Sequence, residues 1–90
     1  MNLTTNAPWT GTEITVDAAV DGDTLKWEQG GYNFTLTFKR WGDAEMRRLC
    51  GEGIWELTGE GWDYELTTIY DDLEPEAALK VAVQWIANCV

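Results

Sequence analysis

Residues 16–38 read VDAAVDGDTLKWEQGGYNFTLTF, and the two turn signals inside them decide the fold. Asp21-Gly22 suits a two-residue hairpin turn, because both residue types tolerate positive φ, and Gly30-Gly31 is a second such signal. Pairing across the first sets Val16 opposite Trp27, Ala18 opposite Leu25 and Asp17 opposite Lys26. Pairing across the second sets Trp27 opposite Phe34, Leu25 opposite Leu36 and Lys26 opposite Thr35. The two registers agree on one apolar face, with Val16, Trp27 and Phe34 in one row and Ala18, Leu25 and Leu36 in the next. A slip of one residue would turn an apolar set to the wrong face. The stretch from 13 to 41 is therefore expected to be a three-stranded antiparallel meander.

Further along, residues 51–67 read GEGIWELTGEGWDYELT, which predicts another hairpin within 53–70. With Thr58-Gly59-Glu60-Gly61 as its loop, Leu57 lies opposite Trp62 and Trp55 opposite Tyr64, and Leu66 and Tyr70 continue that apolar face. Glu56, Asp63 and Glu65 then share the other face, with Glu56 directly opposite Asp63. Like charges so placed destabilise a sheet. The aromatics answer to the core, and the acids stand outside at some cost.

Between the two sheet segments, WGDAEMRRLCG offers Asp43 as an N-cap and Gly51 as the residue past a C-terminus, with Met46, Leu49 and Cys50 at helical spacing. A short helix over 43–50 is expected, with an extra strand as its rival. The stretch 74–89, EPEAALKVAVQWIANC, predicts a C-terminal helix. Pro75 suits the first helical position, and Asp71, Asp72, Glu74 and Glu76 complement the positive end of the dipole. Glu76, Lys80, Gln84 and Asn88 leave one narrow wet stripe on a helix that is otherwise apolar. A curved sheet wrapping the helix would cover the rest, and so would a homodimer seam. The fold class that follows is α+β: an antiparallel sheet of about five strands packed on a C-terminal helix, after a polar N-terminal segment over 1–12. At 90 residues the chain is one domain with a single modest core.

The composition excludes much chemistry. There is no histidine and no serine, which removes Ser-His and Cys-His nucleophiles and histidine-ligated metals. No Gly-rich loop has P-loop spacing, so no cofactor is expected. From Asp17, DAAVDGDTLKWE imitates a calcium loop, with Asp17, Asp21, Asp23 and Glu28 at ligand positions and Gly22 at the turn. Ala19 occupies one ligand position, and the flanks alternate like strands rather than helices. A hairpin turn accounts for the same residues. A carboxylate pair on an exposed hairpin face lacks the burial that acid–base catalysis needs, so an enzyme is not expected. Cys50 and Cys89 show no CxxC spacing and are expected as small buried hydrophobes. The N-terminus lacks the basic and apolar regions of a signal peptide, and no apolar run spans a membrane. A cytoplasmic protein is expected.

Sixteen acids against six bases give a formal charge of −10, which disfavours direct binding to nucleic acid or anionic membranes and favours a basic partner. The charge is uneven. Glu52, Glu56, Glu60, Asp63, Glu65, Asp71, Asp72, Glu74 and Glu76 run without an intervening base, whereas Lys39, Arg40, Arg47 and Arg48 crowd one short stretch. Same-face carboxylates on a strand repeat at roughly 7 Å, a pitch suited to successive Lys or Arg side chains in a groove built for phosphates. Glu56, Asp63, Glu65, Asp71 and Asp72 are the expected contact acids. Trp41, on the Thr35-Thr37-Lys39 face and away from Phe34 and Phe38, is the expected apolar anchor if exposed.

This profile resembles the small acidic counter-defence proteins of phages and mobile elements, among them anti-CRISPR and anti-restriction proteins. The resemblance covers size, acidity, lack of catalytic residues and the sheet-plus-helix build, and rests on no sequence motif, so no binding residue is carried over from it. It implies a non-catalytic inhibitor of a basic nucleic-acid-handling protein in a bacterial host. Such proteins block target DNA, guide-complex assembly or nuclease recruitment. A small oligomeric structural or adaptor module, joined through the apolar C-terminal helix, is the alternative.

Overall fold

The computed structural model describes residues 1–60, 67–69 and 73–89. The element order is β1 (Asn2–Asn6), β2 (Glu13–Asp17), β3 (Ala19–Asp21), β4 (Thr24–Gln29), β5 (Tyr32–Arg40), α1 (Ala44–Cys50), β6 (Gly53–Glu60), β7 (Thr67–Ile69) and α2 (Pro75–Cys89). Strands β3 to β7 form a five-stranded antiparallel sheet in chain order, and β1 and β2 form a separate pair. The expected α+β architecture, with a C-terminal helix on an antiparallel sheet and a short helix between, is the one observed.

The Gly30-Gly31 turn folds as predicted. Both glycines have positive φ, 60° and 85°, the requirement of a type I′ hairpin. Trp27 lies opposite Phe34 and Leu25 opposite Leu36. Trp27 and Phe34 stack with ring centroids 5.9 Å apart.

The first turn differs. Val20, not Ala18, lies opposite Leu25, and Ala19 rather than Asp17 lies opposite Lys26. Only Gly22 takes positive φ there, at 59°, and Asp21 stays in its strand. The turn therefore sits on Gly22-Asp23, which puts glycine at the first central position of a type II′ hairpin. A shift of two residues preserves the face, so the apolar pattern does not oppose it. Val16 consequently does not pair with Trp27. The chain leaves the five-stranded sheet at Ala18, and β2 pairs with β1, setting Val16 opposite Leu3. Val16 and Ala18 are still buried in the common core.

Strand β1 falls in what was expected to be a polar segment. Leu3, Thr5 and Ala7 alternate inward, and the buried Thr5 hydroxyl accepts a 2.9 Å hydrogen bond from Gln84 Nε2 of α2. A satisfied hydroxyl at a core position is tolerated, and it hides the strand from a hydropathy reading.

Strand β6 also departs from expectation. It runs straight through Gly59 and Glu60, because the nine-residue β5 supplies partners along its whole length, from Arg40 opposite Gly53 to Asn33 opposite Glu60. Trp55 lies opposite Ile69 and Leu57 opposite Thr67 on β7. The expected pairing of Trp55 with Tyr64 and Leu57 with Trp62 is not formed. Residues 61–66 and 70–72 lie outside the described residues, and Leu66 and Tyr70 with them.

Gly53 has a steric role. A Cβ at this position would press on the Lys39 carbonyl oxygen, the tip of the Phe38 ring and the Arg40 Cα, so β5 and β6 approach this closely only because the side chain is absent.

Helix α2 covers one face of the sheet through Ala78, Leu79, Ala82, Val83 and Ile86, all buried. Apolar side chains recurring every three or four residues form that stripe. The sheet covers only this side, not most of the girth: Ala77 and Val81 are exposed beside Glu76, Lys80 and Asn88. The buried Trp27 indole is satisfied within its own strand, and its partner there reaches the helix. Trp27 Nε1 donates to Gln29 Oε1 at 3.1 Å, and Gln29 Nε2 donates to the Val83 carbonyl at 3.0 Å.

Candidate functional site

The second face of the five-stranded sheet is covered by no described element. Period-2 alternation sends Lys26 and Glu28 of β4, Asn33, Thr35, Thr37 and Lys39 of β5, and Glu56, Thr58 and Glu60 of β6 to this side. Of the expected contact acids, Glu56 lies here, though not as an open carboxylate. Its cross-strand neighbours are Thr37 and Thr68, so the like-charge pairing with Asp63 is not formed. Lys39 Nζ, one diagonal step away, pairs with it at 2.7 Å, and the Glu56 side chain is only 20% exposed. Asp63, Glu65, Asp71 and Asp72 lie outside the described residues.

Besides Asp21 on the edge strand β3, the carboxylates left open on this face are Glu28 and Glu60, which the sequence reading does not count among the contact acids. They flank Asn33 in one row across β4, β5 and β6, two strand spacings apart, or about 10 Å. Both are exposed, and neither takes part in an ion pair among the described residues. A shallow groove runs past them between Lys26 and Thr35. Recognising this row required knowing that β6 continues through Gly59.

The two tryptophans left over from the core diverge. Trp41 is half-buried at the end of β5, where its N–H donates to the Glu52 carbonyl at 3.0 Å and its carbonyl accepts from Arg47 Nη1 at 3.1 Å. Its indole Nε1 is buried without a hydrogen-bond partner. The open indole is Trp9 instead, 84% exposed on the loop joining β1 to β2. That loop is hydrogen-bonded: Ala7 N donates to the Thr12 carbonyl at 2.8 Å, Gly11 N to the Ala7 carbonyl at 2.9 Å, and Thr10 Oγ1 to Thr12 Oγ1 at 2.9 Å. Gly11 takes φ 72°, which a side chain would strain. The signal was present in Pro8-Trp9-Thr10-Gly11, a turn sequence that reads as a hairpin loop only once β1 is recognised.

A cleft of about 350 Å³ opens beside the N-terminal end of α2 and its lead-in. Val20, Leu25, Phe38, Trp55, Leu73 and Pro75 supply its apolar lining, and Asp23, Arg40, Glu52 and Glu74 its charged rim. Val20 is 55% exposed, and Pro75 is exposed as well. Trp55 Nε1 donates to the Leu73 carbonyl at 3.1 Å and ties the strand to the lead-in of α2. Phe38 packs on Trp55 with ring centroids 5.1 Å apart. The two-residue shift of the first hairpin brings Val20 to the row of Leu25 and so into this lining.

The remaining sequence features take other roles. The calcium-like spacing from Asp17 folds as strand, turn and strand. Cys50 is a free, exposed thiol rather than a buried one, because α1 buries none of its residues. No helix among the described residues is long and apolar enough to cross a membrane. No family model, curated protein or solved structure matches the chain. Its function has to be read from these surfaces.

Proposed function

We propose that the chain is a non-catalytic acidic inhibitor that binds a basic nucleic-acid-handling protein or complex, such as a CRISPR effector, in a bacterial cytoplasm. It covers the partner's nucleic-acid or subunit surface. The observation that carries this reading is Trp9. An indole 84% exposed on a hydrogen-bonded loop costs solubility and serves no core, whereas aromatic anchors held rigid before binding concentrate interface energy. The formal charge of −10 supplies the choice of partner. It steers the chain toward basic surfaces and away from nucleic acid itself. Glu28 and Glu60 offer carboxylates on the open sheet face, and Asp63, Glu65, Asp71 and Asp72 add to the acidic stretch of the sequence. Glu56, already paired with Lys39, contributes little.

Tagged protein incubated with a nuclease-treated bacterial lysate tests the proposal. The expected result is capture of a basic nucleic-acid-binding protein, displaced by added duplex DNA and by high salt. Trp9→Ala should weaken that capture at least about tenfold, as for an interface anchor. Capture unchanged by Trp9→Ala and by excess DNA would sink it.

A structural or adaptor module joined through α2 is the second reading, favoured by Val81, 43% exposed beside Ala77 on the outer side of the helix. It requires a homodimer whose mass survives high salt and is halved by Val81→Glu. A monomer at micromolar concentration removes it.

A further inference from the structure

We infer that the cleft at the end of α2 is an anchor pocket for one large apolar side chain of a basic peptide segment, with lysine or arginine on either side of that residue. The inference rests on the basic partner just proposed and names the chemistry that partner must present. None of the lining residues belongs to the β1–β2 hairpin, so the cleft is a contact separate from Trp9.

The cleft's size and lining point to this occupant. About 350 Å³ lies at the lower end of the range for ligand sites, room for a Phe or Leu side chain and adjoining backbone. Its reachable apolar surface is the patch of Val20, Phe38, Leu73 and Pro75, set among polar lining, with Leu25 and Trp55 buried beneath it, so an entering side chain exchanges water for carbon on that patch. Val20 and Pro75 are the exposed members of that patch, and Phe38 and Leu73 are half-buried.

Charge complementarity fixes what flanks the anchor. Asp23, Glu52 and Glu74 stand on the rim against one base, Arg40. Asp23 and Glu74 are exposed and form no ion pair among the described residues, so both can receive cationic side chains. Arg40, likewise without an ion pair there, carries guanidinium donors suited to the backbone carbonyls of the segment. An acidic or uncharged segment would leave the carboxylates unmatched.

The test uses ¹⁵N-labelled full-length chain and two synthetic peptides, acetyl-Lys-Lys-Phe-Lys-Lys-amide and its counterpart with Gly at the centre. The indole N–H resonance of Trp55, identified by its loss in Trp55→Phe, reports on the cleft floor. The Phe peptide should bind at least about tenfold more tightly than the Gly peptide, as expected for burying one large apolar side chain. It should shift the Trp55 indole and the Val20 amide. Val20→Trp fills the cleft from an exposed position and should abolish the preference while leaving the rest of the spectrum in place. The double variant Asp23→Lys/Glu74→Lys, on exposed residues, should weaken both peptides. Equal affinity for the two peptides, or shifts confined to the row of Glu28, Asn33 and Glu60, would overturn the assignment. That outcome leaves capture through Trp9 standing. Failure of the capture would remove the parent reading without altering the titration.

Discussion

The two helices of this protein are held in place in opposite ways. Helix α2 has fifteen residues and sinks Ala78, Leu79, Ala82, Val83 and Ile86 into the core with no measurable exposure. Helix α1 has seven residues and buries none; Leu49 is 68% exposed and Met46 and Cys50 also face outward. A helix this short is unstable by itself in water, and tertiary packing is what normally rescues it. Lacking that, α1 depends on its ends. The Asp43 carboxylate accepts from Glu45 N at 2.8 Å, Gly51 closes the helix at φ 89°, and Arg47 and Arg48 lie in the last turn, where the dipole favours them. Removing core atoms should therefore damage α2 and the whole fold, whereas removing a cap should damage α1 alone.

Ile86→Ala is the strongest way to break this comparison. It removes a fully buried side chain between helix and sheet and should cost about 2–5 kcal/mol of global stability, read from the urea midpoint. A loss below that range would mean that the helix–sheet contact is looser than the burial implies. Next is Gly53→Ala, in the strand that follows α1, where the added methyl meets backbone on Lys39 and Arg40. Overpacking of this kind costs about 1–3 kcal/mol, and thermal unfolding would register it; an unchanged melting temperature would contradict the close approach of β5 and β6. Asp43→Ala should cost about 1 kcal/mol locally. Amide exchange should then quicken in α1 and stay unchanged in α2, and equal acceleration in both would erase the distinction. Leu49→Gln should change stability by no more than about 0.5 kcal/mol, since the side chain already faces solvent. A larger loss would show α1 to be packed after all.

The parts of the fold that were legible share a local cause. Gly30-Gly31 can satisfy a type I′ turn with both residues at positive φ, and nothing else nearby competes for it, so the register of β4 and β5 followed to the residue. Asp43, Gly51 and Pro75 likewise act within one helical turn. The parts that failed depended on distant partners. The first hairpin could shift by two residues without exposing any apolar side chain, and β2 had a competing partner in β1 that the alternation of polar Thr4 and Asn6 with Thr5 concealed. The second GEG signals a turn by itself, because glycine usually marks one. Pairing with the long β5 instead drew Gly59 and Glu60 into the strand.

The candidate site depends on distant partners in the same way. Glu56 was correctly assigned to the face away from the core, yet its pairing with Lys39 is a diagonal contact that only the β5–β6 register reveals. Trp9 stands out only once β1 is recognised, and Val20 reaches the cleft lining through the shifted register.

The openness of Trp9 also makes it an optical probe. Trp27 and Trp55 are buried and Trp41 and Trp85 half-buried, so among the described tryptophans Trp9 alone meets water over most of its ring. It should supply the red edge of the emission spectrum and the component that quenchers reach first. The chain's net charge of −10 concentrates cations and repels anions, so caesium should extinguish that component at lower concentration than iodide. A partner that closes over the loop would shield it from both.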